Sequence, residues 1–180
     1  MPRILTGNMR IEIREARPDE STIVAALSAA TFYEAYVEHD DPEDLADYVT
    51  REFQAGTIAD EIISGSAQYF FGIGDSRIVG YAKLRFSRPP AEMAGKNVVE
   101  IQRIYLFSKF AGKGVGKQLI ERCISEARNK NFDGIWLAVW DANKPAIGFY
   151  RSLGFEKIGE TPFPYGSQVF VNDLYYREIS

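Results

Sequence analysis

The chain has 180 residues, 46% of them hydrophobic, and a net charge of −4. That length suits one domain with its own core, the acidic balance without a basic stripe argues against nucleic acid as a partner, and no run approaches the ~18 apolar residues of a membrane-spanning helix. The single cysteine excludes an internal disulfide and suits a reducing, cytoplasmic setting.

Residues 1–8 are polar and lack the apolar stretch of a secretion signal, and Met9 is an alternative start. Residues 1–9 are therefore expected to form a flexible extension and 10–180 a single domain. Residues 11–16 alternate like a strand, and Asp19 is placed to cap a helix reaching about Tyr36. Pro42 opens a second helix to Phe53, with a further turn or two over 58–63. Residues 69–73 and 78–86 read as a hairpin around Gly74-Asp75-Ser76-Arg77. After a loop containing Pro89-Pro90 and Gly95 come a strand over 98–107, a glycine-rich loop and a helix over 115–130. A strand over 135–140 and a helix over 145–153 follow, then two strands separated by Phe163-Pro164-Tyr165-Gly166. The alternation implies one α/β domain with a mixed sheet.

The run Ala111-Gly112-Lys113-Gly114-Val115-Gly116-Lys117-Gln118 sits where a strand becomes a helix. Glycines on alternate positions let backbone N–H groups approach a phosphate closely, and the helix N-terminus adds a positive dipole end. A nucleotide P-loop needs a glycine at position 111 and a hydroxyl at 118, where this chain has Ala111 and Gln118. The dinucleotide fingerprint needs a third glycine at 117 and meets Lys117. The loop thus points to a phosphate-bearing ligand of another kind.

A second constellation lies about thirty residues on: Asn143-Lys144-Pro145-Ala146-Ile147-Gly148-Phe149-Tyr150-Arg151-Ser152-Leu153-Gly154-Phe155. With the glycine run before it, the sequence resembles the GNAT superfamily of N-acetyltransferases, which move acetyl from acetyl-CoA to an amine. The second motif, N-x-x-A-x-x-F-Y-x-x-x-G-F, is complete. The first, Q/R-x-x-G-x-G/A, has Ala111 in place of the usual Gln or Arg. The resemblance implies a mixed, mostly antiparallel sheet of six to seven strands, α/β (α+β in some schemes), flanked by about four helices. It also implies a cofactor cleft opened by splaying of the strands beyond Leu106. Backbone at Ile104, Tyr105 and Leu106 would pair with the pantetheine arm, and Gly112, Lys113, Gly114, Val115, Gly116 and Lys117 would hold the pyrophosphate. Asn143 would contact the cofactor arm while also capping the helix that starts at Pro145. Tyr150 would donate to the departing sulfur.

The chemistry asks for a base. With an amine pKa of ~10.4, about 1 molecule in 2,500 is neutral at pH 7, a penalty of roughly 4.6 kcal/mol. Glu100 is the candidate, with strand alternation placing it on one face with Gln102 and Ile104 until a bulge intervenes. A strand ion pair with Arg103 is the alternative. Cys123 falls on an apolar helical face with Leu119, Ile120, Ile124 and Ala127, so it reads as core rather than as a nucleophile. His39 has no Cys or His companions at ligand spacing, so no metal is expected.

The acceptor site is expected along the acid-rich segment 33–44, with Tyr33, Glu34 and Tyr36 as binding residues. Within the superfamily, Thr31-Phe32-Tyr33 and Glu100-Ile101-Gln102-Arg103-Ile104-Tyr105-Leu106 are similar to bacterial PaiA-type spermidine/spermine acetyltransferases. That similarity implies a polyamine acceptor and direct attack in a ternary complex. A protein or peptide N-acetyltransferase and a non-catalytic CoA-binding module are the alternatives. Exposed edges of such a sheet often pair, which makes a homodimer one expected assembly.

Overall fold

In the computed structural model, residues 9–179 are described. The expected extension falls outside them except for Met9, whose side chain packs on the core and on Gly74. Seven strands form one sheet: β1 (Ile11–Glu15), β2 (Ala67–Gly74), β3 (Arg77–Arg85), β4 (Val98–Leu106), β5 (Gly134–Trp140), β6 (Glu156–Tyr165) and β7 (Gln168–Glu178). Their order is β1-β2-β3-β4-β5-β7-β6, and only the β4–β5 pairing is parallel. Among the described residues five α-helices flank it, the third standing where a further turn or two was expected: α1 (Ser21–Tyr36), α2 (Pro42–Glu52), α3 (Ala55–Ser64), α4 (Val115–Asn129) and α5 (Lys144–Ser152).

Strand alternation divides the core between the two faces. Val99, Ile101, Ile135, Leu137 and Val139 turn toward α4 and α5, where they meet Leu119, Ile120, Cys123, Ile124 and Ala127. Tyr69, Phe71 and Tyr81 turn the other way, onto α1 and α3. Cys123 is fully buried, and burial pushes its thiol up to about 12, so it is core material.

Local chemistry sets the joints. Asp75 and Ser76 connect β2 to β3 with φ of 48° and 66°. This two-residue left-handed turn matches the twist of a hairpin. Asp75 accepts from the Arg10 N–H at 3.0 Å and donates its own N–H to the Arg10 carbonyl at 2.9 Å. Asp19 is not the cap of α1. Pro18–Glu20 forms a short 3-10 turn first, because Glu20 is held by Arg14 at 2.8 Å and by the Arg17 N–H at 3.0 Å. Phe163-Pro164-Tyr165 does not break the last two strands either: β6 runs through it to a turn at Gly166 and Ser167. β6 is an edge strand, so Pro162 and Pro164 are tolerated where a central strand would lose ladder hydrogen bonds.

The functional geometry begins in β4. Lys83 of β3 pairs with Arg103, but Leu84 pairs with Ile101, which leaves Gln102 as a bulge. A bulge shifts alternation by one and increases local twist. Glu100 therefore shares a face with Arg103 and Tyr105, and Ile104 turns to the α4 side. Parallel pairing of β4 with β5 covers only Val98–Gly134, Val99–Ile135 and Glu100–Trp136. The strands thus part just after Glu100, not beyond Leu106.

Helix α4 is seated by a glycine in the sheet beneath it. A Cβ on Gly72 would stand 2.7 Å from Val115 Cγ1 and 3.3 Å from Leu119 Cδ1. Gly148, inside α5, has nothing within 4 Å of such a Cβ. Gly72→Ala is expected to lower stability by about 1–3 kcal/mol by overpacking, and Gly148→Ala to raise it by ~0.5–1 kcal/mol through helix propensity. Thermal unfolding of both variants checks the opposite signs; a neutral Gly72→Ala would show that α4 gives way freely.

Candidate active site

Where β4 and β5 part, a cleft of about 840 Å³ opens, walled by α1, α2, the start of α5 and the β6–β7 hairpin. On its α4 side the chain passes from β4 through the turn Ser108–Phe110 into the glycine loop. Gly112 and Gly114 have φ of 72° and 90°, and Gly114 is the N-cap of α4. Among the described residues, the N–H groups of Gly112 through Lys117 donate to no protein acceptor. Successive amides with left-handed glycines between them form an anion-binding concavity at the positive end of a helix. Gly116 lets this end of α4 approach its neighbours: a Cβ there would lie 3.4 Å from both Leu106 and Phe149. The Val115 side chain is buried in the core, so only its backbone faces the loop. Ala111 donates its N–H to Ser108 at 3.0 Å, leaving the amide row intact. Lys113 rests over the Phe110 ring at 5.3 Å, and the exposed Lys117 is 3.8 Å from Glu121.

The second polar edge is β4 itself. Phe107 N–H donates to Val79 O at 3.0 Å, which fixes Phe107 as a hydrogen-bonded partner of β3. By antiparallel alternation the amides of Ile104 and Leu106 turn away from β3, into the gap that β5 has left. Asn143 lines the same gap and caps α5 by accepting from Ala146 N–H at 3.2 Å. Tyr150, 8% exposed, lies between Phe149 and Phe155 and also lines the cleft. Burial holds its phenol well above the ordinary value, with Tyr36 contributing, so it stays protonated.

Glu100 faces the other half of the cleft. Its partner is Arg85, directly across from it in register, and not Arg103. Arg85 donates to Oε2 at 2.6 Å, while Oε1 has no protein partner among the described residues. Burial raises the Glu100 carboxyl above its usual range despite the opposing pull of Arg85, Lys83 and Arg103. Arg103 turns instead to Glu52 of α2 at 2.9 Å and lies over the Phe53 ring at 4.8 Å. Beneath them Lys83 is 2.7 Å from Glu61, which also accepts from the Tyr69 hydroxyl.

Of the expected acceptor residues only Tyr36 lines the cleft, beside Tyr105. Tyr33 is exposed. Glu34 reaches the other way and accepts from Ser108 N–H at 2.8 Å and Ser108 Oγ at 3.1 Å, clamping the turn before the glycine loop. In the acid-rich segment Asp41 caps α2 through the Glu43 N–H, and Asp40 is its one carboxylate in the cleft, next to His39. Residues that local pattern did not single out complete the wall: Tyr48, Arg51 and Glu52 from α2, Arg85, and Phe163, Tyr165 and Phe170 from the hairpin. Among the described residues no cluster of His, Cys, Asp and Glu is arranged to hold a metal, and no helix is long and apolar enough to cross a membrane.

The acetyltransferase (GNAT) family matches residues 22–155. A Lactobacillus delbrueckii subsp. lactis protein, an uncharacterized N-acetyltransferase in the pepI 3′ region, is 32% identical over 162 residues, covering 90% of this chain and 92% of its own. Streptothricin acetyltransferase of Streptomyces lavendulae is 26% identical, with 86% of each chain covered. In fold, PaiA N-acetyltransferase from Thermoplasma acidophilum, in complex with coenzyme A, matches with a TM-score of 0.72 at 17% identity, over 94% of this chain and 99% of that one. An N-acetyltransferase from Staphylococcus aureus Mu50 matches with a TM-score of 0.69 at 18% identity, over 95% and 99% of the two chains. The chain therefore belongs to the GNAT acetyltransferase family and is an acetyl-CoA-dependent N-acetyltransferase.

Proposed function

We propose that the enzyme acetylates a small primary amine by direct attack in a ternary complex, with Glu100 as general base and Tyr150 as hydrogen-bond donor to the leaving sulfur. The observation that carries this reading is the shared cleft. The unpaired edge of β4, the Tyr150 phenol and the free Oε1 of Glu100 all open into one space. Bound acetyl-CoA supplies the thioester carbonyl. The amides of Ile104 and Leu106 fit the amide groups of a pantetheine arm, and the amides of Gly112 through Lys117 fit a pyrophosphate.

Glu100 Oε1 accepts the proton that the incoming ammonium must lose, directly or through a water. The freed nitrogen forms the C–N bond as the C–S bond breaks. A phenol at ~10 is a weaker acid than a thiol at ~8.5, so full proton transfer to sulfur is already uphill by about 2 kcal/mol. Burial weakens Tyr150 as an acid further, so it stabilises the developing thiolate by hydrogen bonding. Direct attack is supported by the position of the single cysteine, which lies in the core and not in the cleft.

The cleft also bears on acceptor size and charge. At the hairpin tip a side chain on Gly166 would collide with the Asp44 carboxylate, so the tip sits tightly on α2. That contact favours a small molecule over an extended peptide. For a polyamine, the acid-rich segment offers the cleft one carboxylate, Asp40. The lone buried cysteine keeps a reducing, cytoplasmic setting as our reading.

Tyr150→Phe is expected to lower kcat about 10- to 100-fold, the worth of one hydrogen bond to a charged group, with KM for acetyl-CoA nearly unchanged. Unaltered kcat would remove the phenol from the chemistry. For Glu100 the pH profile carries the sign. A base works when deprotonated, so kcat/KM should fall as pH drops through a carboxyl value raised above ~4.3. Glu100→Gln should cost about 100-fold near neutral pH and recover toward pH 10, where the amine is neutral unaided. A constant loss at every pH would instead mark a structural role.

A further inference from the structure

Two properties of the acceptor half of the cleft are not required by acetyl transfer itself. The first is an aromatic wall. Phe32 stacks on Tyr48 with ring centroids 4.6 Å apart, and Tyr48 meets Tyr165 at 5.4 Å and Phe163 at 6.3 Å. Tyr165 meets Phe170 at 6.1 Å, and Phe170 meets Trp140 at 6.0 Å. The rings run unbroken from α1 across α2 to the hairpin, and all of them line the cleft.

The second is a group of guanidiniums. Arg51, Arg85 and Arg103 line the cleft together with three carboxylates, Asp40, Glu52 and Glu100. Glu52 is shared by Arg51 at 3.2 Å and Arg103 at 2.9 Å, and Glu100 is bound by Arg85 at 2.6 Å. Asp40 sits instead beside Tyr165. Arg103 is 9% exposed and donates to Glu52, with Tyr48 as a further neighbour of its fork of five donors. Arg85 spends its contacts on a single Glu100 oxygen, and a guanidinium with donors to spare can take an anion. Arg85 and Glu100 add geometry to this, as they present a cation and an anion side by side at the proposed base. An amine and a carboxylate on one carbon are the complement of that pair. A polyamine offers nothing to Arg85.

We propose that the acceptor is a free α-amino acid with a large apolar or aromatic side chain. Its amine meets Glu100 Oε1, its carboxylate meets the arginine group, and its side chain lies along the ring wall. This rests on the transfer reading above and narrows it. The tight seat of the hairpin tip on α2 narrows the cleft there, which favours a free amino acid over a peptide N-terminus.

The experiment is release of free CoA thiol from acetyl-CoA by the full chain, with phenylalanine, phenethylamine, phenylalanyl-glycinamide and spermidine as acceptors. Phenylalanine and phenethylamine differ only by the carboxylate. The expected result is a kcat/KM about 10- to 100-fold higher for phenylalanine, the worth of a charge-assisted hydrogen bond. Arg51→Gln, at the exposed end of α2, should narrow that ratio mainly through KM. Equal or better use of phenethylamine overturns the carboxylate contact, and preference for the dipeptide amide overturns the free amino acid. Preference for spermidine overturns the acceptor class while leaving the transfer chemistry standing. No release with any of the four overturns both readings together.

Discussion

The parting of β4 from β5 after Glu100 and Trp136 is the constraint from which the site follows. A sheet that stayed paired would satisfy its own amides and close the space between the strands. Here the bulge at Gln102 adds twist, and β4 continues on β3 alone. The amides of Ile104 and Leu106 are left facing a gap, and half-buried backbone groups without a strand partner call for another. An extended ligand with its own amide groups supplies one, so occupancy of the cleft is expected to add to stability by linkage. The same parting joins the two faces of the sheet. The glycine loop at α4 lies on one side, Glu100 and the aromatic wall lie on the other, and Tyr150 stands between.

The face opposite α4 carries a partly buried system of three ion pairs. Lys83, Arg85 and Arg103 enter it from β3 and β4, and Glu61, Glu100 and Glu52 answer from α3, β4 and α2. Buried pairs of this kind rarely add net stability, because desolvation consumes most of the Coulombic gain. Their value lies in what they impose on neighbours. Burial lowers the readiness of Lys83 to hold its proton and raises the Glu100 carboxyl, against the opposing pull of the surrounding cations. Arg85 orients it by taking one oxygen and leaving the other free.

Much of this was legible in the chain, and the failures share a cause. The glycine loop and the Asn143–Phe155 motif are local, so their strand–loop–helix contexts and the cap at Asn143 could be read directly. The core face of α4 was legible from period alone, including Cys123. What was not legible depends on register between distant segments. The bulge at Gln102 is invisible in β4 and appears only against β3, and it moves Ile104 to the opposite face from Glu100. The partner of Glu100 is Arg85, fifteen residues earlier and directly opposite, whereas Arg103, three residues away, is taken by α2. Pro162 and Pro164 read as chain breakers until β6 is known to be an edge. The carboxylates of the acid-rich segment looked like one electrostatic wall, yet they serve as a cap, a clamp and a hairpin seat.

That last redistribution ties the two halves of the cleft together. Helix α1 presents Tyr36 to the cleft and, two residues earlier, sends Glu34 to Ser108. Successive helical positions differ by 100°, so residues two apart point to widely different sides. The helix that walls the acceptor side is thereby fastened to the turn that opens the glycine loop. Ser108 donates two hydrogen bonds to one carboxylate, and the turn it starts supplies the Ala111 contact that precedes Gly112. These hydrogen bonds link the turn before the glycine loop to the helix that carries Tyr36 and the Phe32 end of the ring wall. One exposed carboxylate, placed among residues that looked like part of a substrate wall, joins the glycine-loop side of the sheet to the side that carries Tyr36 and Phe32.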